Sequence, residues 1–297
     1  MEKKRLFFGV GTALVTPFCD DGIDFDTLGR LLEMQRAAGV SAVVVAGTTG
    51  EAPTLTDRER DALLSFTLEC VGDDMTVVMG TGCADTRRAI AYSRRAASLG
   101  AHGLLVVTPY YNRGTREGVR THFLSIAEAV PCPTIAYNVP SRTGCDLSLA
   151  DYSVILSHEN VVGVKEAKED AERFLTLCTH FGEHKRIYTG SDAFLLPSLA
   201  LGGDGVISVV SGITPRTVRE VIELFAEHPD KARALFAQIA PLVGLLFKET
   251  NPSPIKEALR RMGFGDGVCR LPLSAPSGGL CEELRVEISR LTRLKIS

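Results

Sequence analysis

The chain has 297 residues, 45% of them hydrophobic, and a formal charge of -3. That length and apolar content suffice for one large core or two ordinary domains, and the mixed, slightly acidic charge leaves no footprint for a nucleic-acid partner. No apolar run reaches the ~20 residues that span a bilayer, so no membrane partner is expected, and the eight dispersed cysteines, with no CxxC pair, read as reduced thiols of a cytoplasmic protein.

Lys3-Lys4-Arg5 before Leu6-Phe7-Phe8 imitates a signal peptide, but Gly9, Gly11, Thr12 and Pro17 interrupt the apolar stretch, so it reads as the first strand. Gly9 to Val15 is apolar, and residues 24–38 then carry Leu28, Leu31, Leu32 and Gln35 at helical spacing up to Gly39. Ala42 to Val45 is the second strand. Its loop, Gly47-Thr48-Thr49-Gly50-Glu51, leads to Thr56-Asp57-Arg58-Glu59, a capping-box pattern that opens a helix through Cys70. Met75 to Met79 predicts a third strand and 86–99 an alanine-rich helix. Gly103 to Val107 is the fourth strand, followed by Thr108-Pro109-Tyr110-Tyr111-Asn112 and a helix over 115–130.

Pro133 to Tyr137 makes the fifth strand, and Asn138 to Gly144 reads as a loop with both turn punctuators. A short helix over 148–157 precedes a sixth strand closed by Lys165. A helix over 170–181 returns to the seventh strand, 186–190. A short helix over 194–201 precedes the eighth, Gly205 to Ser208, and Thr214-Pro215 predicts an N-cap with proline at the first helical position. The unit repeats every ~25 to 30 residues, the length of a strand and its returning helix. The class is therefore α/β, and eight regular units favour a closed (β/α)8 barrel over an open doubly wound sheet. Residues 1–228 are assigned to the barrel and 229–297 to a C-terminal helical appendage, interrupted by Asn251-Pro252-Ser253-Pro254 and Arg270-Leu271-Pro272.

In such barrels function sits at the carboxyl ends of the strands. Those ends supply Thr48, Thr49, Tyr111, Tyr137, Lys165, Gly190 and Ile207. Val161-Val162-Gly163-Val164-Lys165 is an apolar strand ending in an amine. An ammonium held against apolar walls loses hydration, and its pKa falls from ~10.4 toward values where the neutral amine attacks carbonyls. The alternative is a lysine that snorkels to solvent. Tyr137 lies one repeat earlier on the neighbouring strand, ~4.8 Å away, close enough for the two side chains to meet. Read singly, Tyr137 is equally consistent with a core aromatic, Thr48 and Thr49 with turn formers, Arg142 with a solvated loop residue and Tyr110-Tyr111 with interface packing. Their joint occurrence points to a site.

Other fragments carry little weight. Gly80-x-Gly82 meets Asp85 where a dinucleotide loop needs its third glycine. His180 and His184 are separated by Gly182, and Asp192 and Asp204 have no metal spacing. Neither metal, nucleotide nor other cofactor is expected.

Gly47-Thr48-Thr49-Gly50-Glu51, Pro109-Tyr110-Tyr111-Asn112, Tyr137 to Gly144, Val162 to Ala167, Gly205 to Ser208 and Asn251-Pro252-x-Pro254 together resemble the dihydrodipicolinate synthase family, class I pyruvate aldolases of the N-acetylneuraminate lyase superfamily. The resemblance covers nearly the whole chain. It implies a lyase of lysine and diaminopimelate biosynthesis that condenses pyruvate with L-aspartate-4-semialdehyde. Lys165 would form the Schiff base, and Tyr137, Thr48 and Tyr111 would form a hydroxyl relay, Tyr111 reaching in from the neighbouring subunit. Thr49 would hold the pyruvate carboxylate, Gly190 and Ile207 would line the site, and Arg142 would receive the semialdehyde carboxylate. A homo-oligomer, a dimer of dimers, is implied.

Arg142 favours the synthase over sialic acid lyases, which generally lack arginine in this loop, because a guanidinium matches a carboxylate in two bonds. The rivals are another pyruvate-dependent sugar-acid lyase and a catalytically silent barrel that binds a metabolite. One part of the family pattern is broken. Where feedback-inhibited members line a lysine crevice with polar residues, this chain has Ala52, Pro53, Asp57, Arg60, Ala84 and Arg88, with only Tyr110 retained. A cation at 88 repels an ammonium ligand, so weak or absent inhibition by lysine is expected.

Overall fold

Runs of β-branched residues and amphipathic stripes alternate along the chain, and the elements follow that alternation. The computed structural model describes residues 6–20 and 22–297. Lys3, Lys4 and Arg5, on which the signal-like reading of the amino terminus turns, lie outside the described residues.

Strand β1 (Gly9–Ala13) leads into a small antiparallel hairpin, β2 (Phe18–Cys19) and β3 (Gly22–Ile23), and then α1 (Phe25–Ala37). There follow β4 (Ala42–Val45), α2 (Asp57–Val71), β5 (Thr76–Gly80), α3 (Thr86–Ser98), β6 (Gly103–Val107), α4 (Arg116–Glu128) and β7 (Thr134–Asn138). The chain continues through α5 (Pro140–Thr143), α6 (Leu149–Leu156), β8 (Val161–Glu166), α7 (Ala171–Phe181), β9 (Arg186–Thr189), α8 (Leu195–Ala200), β10 (Gly205–Ser208) and α9 (Pro215–Phe225). Helices α10 (Pro229–Leu246), α11 (Ser253–Arg261) and α12 (Gly278–Leu294) complete it. Eight parallel strands close into a barrel in the order β1-β10-β9-β8-β7-β6-β5-β4, so the sheet is closed rather than open.

Local chemistry explains most boundaries. Asp24 accepts from the Thr27 amide to start α1, and Thr56 and Glu59 form the reciprocal capping box of α2. One element was not expected, and two expectations need correction. The β2–β3 hairpin has two residues per strand, too few to leave a periodic signal. Residues 140–143, expected in a loop, form a helical turn because Pro140 presets its first φ and Gly144, at φ 68°, ends it in the left-handed region. Thr214 precedes the predicted Pro215, but its hydroxyl donates back to the Val210 carbonyl at 3.4 Å instead of capping α9.

The described chain divides into two compact units. One comprises 6–8 and Thr76–Ile207, the other Gly9–Met75 and Ser208–Ser297. In the first, the outer faces of β6 to β9, with Val106, Ala136, Val164 and Ile187, pack on Phe123, Ile126, Tyr152, Ile155, Phe174 and Leu177 of α4, α6 and α7. In the second, Gln35, which shares the apolar stripe of α1, is fully buried and satisfied: it accepts from Thr12 at 2.6 Å and donates to the Ser211 carbonyl at 3.2 Å.

Candidate active site

In the first unit, Lys165 lies one residue before the end of β8, in register with Tyr137 of β7. Successive side chains of a strand point to opposite faces. Glu166 accepts from the Tyr152 hydroxyl of α6 at 2.8 Å, so its neighbour Lys165 projects into the barrel interior. Lys165 is only 5% exposed, which excludes the solvent-lysine alternative, and its Nζ lies 4.3 Å from the Tyr137 ring centroid. The ring face gives the cation a favourable but weak partner. Among the described residues no carboxylate pairs with it.

Gly190, at the end of β9, explains itself by contact. A Cβ there would stand 2.8 Å from Lys165 Cε and 2.9 Å from Ala167 Cβ, so any side chain would displace the lysine. The Gly190 amide also donates to the Glu166 carbonyl at 2.7 Å, which fixes the strand ends to each other. Ile207 is fully buried on β10. Tyr111 stands on the loop after β6 with 89% exposure and a left-handed φ of 73°, rare for an aromatic. Arg142 is exposed on α5. The structure thus brings Lys165, Tyr137 and Gly190 together, and leaves Tyr111 presented on a loop and Arg142 on the helical turn α5.

Sequence reasoning missed what holds these parts. Asn138 and Glu166 follow Tyr137 and Lys165 and are likewise in register. The Asn138 amide donates to both Glu166 oxygens, at 3.0 and 3.1 Å, and to Asp146 at 3.0 Å, while the Lys168 amide donates to Glu166 at 2.8 Å. Arg173 pairs with Glu166 at 3.5 Å and with Asp146. Burial pushes the Glu166 carboxyl upward, and these donors pull the other way. Burial, reinforced by Glu166, raises the Tyr152 phenol well above its ordinary value. The signal was available: an Asn and a Glu one step past two site residues on adjacent strands share the opposite face. Thr108, also missed, donates to Thr143 at 3.1 Å and so ties the loop that carries Tyr111 to the turn that carries Arg142.

In the second unit, Thr48 and Thr49 occupy the loop after β4. The loop is tight: Ala46 and Glu51 adopt left-handed φ values of 49° and 55°, and the Thr16 hydroxyl donates to the Gly50 carbonyl at 2.7 Å. Thr49 is 3% exposed and its hydroxyl accepts from the Asn251 amide at 2.9 Å. Glu51 forms a buried ion pair with Lys256 of α11 and accepts from the Arg270 backbone amide at 2.9 Å. Among the described residues no group of three or more metal-ligating side chains is assembled, and no helix is long and apolar enough to cross a membrane.

Fold and side chains together define a (β/α)8 barrel with a buried lysine at the carboxyl end of a strand, where barrel enzymes hold their active sites. Residues 6–291 match the Dihydrodipicolinate synthetase family, and the chain belongs to it. It is 41% identical over 292 residues to the 4-hydroxy-tetrahydrodipicolinate synthase of Thermoanaerobacter sp. strain X514, covering 98% of each chain. Its fold matches a dihydrodipicolinate synthase from Thermotoga maritima with a TM-score of 0.94, at 38% identity over 99% of this chain and 100% of that one. The chloride-inhibited dihydrodipicolinate synthase of Acinetobacter baumannii complexed with pyruvate is similar, with a TM-score of 0.93 and 37% identity over 99% of this chain and 100% of that one.

Proposed function

We propose that this enzyme is a lyase that condenses pyruvate with L-aspartate-4-semialdehyde through a Schiff base at Lys165, giving 4-hydroxy-tetrahydrodipicolinate for lysine and diaminopimelate biosynthesis. The observation that carries the reading is a buried lysine with no carboxylate partner among the described residues, set against the tyrosine of the adjoining strand.

The Lys165 amine adds to the keto carbon of pyruvate, and loss of water leaves an iminium. The iminium acidifies the methyl group, and removal of one methyl proton gives an enamine that attacks the aldehyde carbon of the second substrate. The second substrate's own amine then adds to the iminium carbon, closes the ring and releases Lys165. Every step moves a proton over a short distance, and a phenol can both give and take one without permanent charge. Tyr137 fills that role, and Thr48 and Tyr111 pass the proton on. Thr49 holds the pyruvate carboxylate, and Gly190 and Ile207 line the pocket. Arg142 clamps the semialdehyde carboxylate with two bonds. The exposed Tyr111, held at a left-handed φ, suits insertion into a second copy, in a dimer that pairs again into a tetramer. We assign 1–228 to the catalytic barrel and 229–297 to its helical appendage, and the enzyme to the cytoplasm.

Borohydride reduction in the presence of pyruvate tests the reading. A pyruvyl adduct mapped to Lys165 by mass spectrometry supports it, and its absence rejects it. Turnover of sialic acid instead of the semialdehyde would move the enzyme to the sugar-acid branch. Arg88, whose Nε donates to the Tyr92 hydroxyl at 2.6 Å, stands where an ammonium ligand would need a carboxylate, so added lysine should inhibit weakly or not at all in an activity titration.

A further inference from the structure

The Asn251-Pro252-x-Pro254 corner has no part in the chemistry above, yet it reaches a site residue. Asn251 sits at the junction of α10 and α11, 4% exposed, and its side-chain amide donates to Thr49 Oγ1 at 2.9 Å. A hydroxyl has one proton and two lone pairs. With a lone pair occupied by the amide, the proton of Thr49 is free to point at another acceptor, and a carboxylate is an acceptor only. We infer that Asn251 is a positioning residue for pyruvate: its amide fixes the Thr49 hydroxyl as a donor toward the substrate carboxylate.

The surroundings keep that polarity rigid. Two residues after Thr49, the Glu51 carboxylate is held by Lys256 and by the Arg270 amide, both from the same C-terminal segment as Asn251. Gly50 has no room for a side chain, since a Cβ would stand 3.0 Å from the Ala46 amide nitrogen and 3.2 Å from the Leu14 carbonyl. The backbone next to Thr49 is therefore closely packed and further held by the Thr16 hydroxyl on the Gly50 carbonyl. The role inferred for Asn251 is exerted through its hydrogen bond to Thr49.

The inference rests on the pyruvate reading, and one experiment separates the two. The pyruvate concentration that half-saturates borohydride trapping is measured for the full-length enzyme and for Asn251→Ala, Asn251→Asp, Thr49→Val and the Thr49→Val/Asn251→Asp pair. An aspartate at 251 accepts where asparagine donates, turns the Thr49 proton inward and should raise half-saturation by about tenfold or more, while Asn251→Ala, which only frees the hydroxyl, should raise it about threefold. In the Asn251 single variants half-saturation should shift more than the maximal trapping rate, because the trapping amine is untouched. In the Thr49→Val background the aspartate should add less than about twofold, since the hydroxyl it acts through is gone. Unchanged half-saturation in both single variants overturns the inference, and so does an aspartate effect that persists in full without the Thr49 hydroxyl. If the aspartate variant does not fold, the alanine variant and its pairing with Thr49→Val decide by the same criteria. A wild-type enzyme that traps no pyruvate rejects the underlying reading, and this inference with it.

Discussion

Two buried lysines, each lying over an aromatic ring, have opposite company. Lys165 is 5% exposed, with its Nζ 4.3 Å from the Tyr137 ring, and no carboxylate among the described residues meets it. Lys256 is 3% exposed, with its Nζ 4.1 Å from the Phe18 ring, but it pairs with Glu51 and donates to the Val268 carbonyl at 2.7 Å. Burial lowers the Lys256 pKa and Glu51 opposes the shift, so the pair holds the cation in place. Burial and an aromatic neighbour therefore do not make a nucleophile. A counter-ion makes the difference: Lys256 is tied into a structural pair, while the amine of Lys165 is left available.

The largest effect should come from replacing the proposed nucleophile. Lys165→Ala should abolish the pyruvyl adduct and lower turnover by ~10³-fold or more, with little change in melting temperature, because no ion pair is broken. Lys256→Ala should do the reverse. It strands the fully buried Glu51 carboxylate, at a cost of ~3–5 kcal/mol in urea denaturation. A Lys256→Met/Glu51→Gln pair, which removes both charges, should recover most of that loss. A stability loss in Lys165→Ala as large as in Lys256→Ala would remove the distinction between the two.

A smaller change sharpens the contrast at the rings. Tyr137→Phe makes the ring beside Lys165 the same as the one beside Lys256, keeping the face and losing the hydroxyl. Trapped adduct should still form, but turnover should fall by ~10²-fold, the scale of a lost proton-transfer group. Wild-type turnover in this variant would show that the hydroxyl is a bystander and that proton transfer runs elsewhere.

Lys165 was legible in the sequence and Lys256 was not, for a physical reason. Lys165 ends an apolar β-branched run one repeat after Tyr137, and regular strand spacing converts that into adjacency. Lys256 lies in α11 and its partner Glu51 in the loop after β4, so only the folded chain brings them together. The barrel was legible because period and turn chemistry agree along the chain: Ala42–Val45, Gly103–Val107 and Gly205–Ser208 are strands with the boundaries their apolar runs suggest. The Asn251 contact with Thr49 was not legible, since a polar residue shows its partner only in three dimensions, whereas the Asn138–Glu166 pair left a signal in its strand register that went unread. Phe18, in a two-residue strand, gave no sign that it would carry both Lys256 and Arg270 on its ring.

Arg270 supplies the mildest test of the paired region. Its side chain grips Glu59 with both terminal nitrogens, one at 2.9 Å, donates to the Thr54 carbonyl at 2.9 Å, and covers Phe18 at 4.1 Å. The Arg270 hydrogen bond, partly opposed by burial and helped by the Thr56 amide and hydroxyl, holds the Glu59 carboxyl down at about 2 against an ordinary 4.5. Between those values the unfolded chain binds the proton and the folded chain does not, so stability rises with pH there. The contribution is complete above about pH 4.5 and is lost as the pH falls through about 2. Arg270→Met keeps apolar contact with Phe18 but removes the largest cause of the shift. Its urea stability should therefore fall less steeply than wild type over that window, by on the order of 1 kcal/mol for a partly exposed pair. Parallel slopes in the two proteins would mean that the Thr56 capping contacts alone set the Glu59 titration, and that Arg270 contributes to the paired region through packing rather than charge.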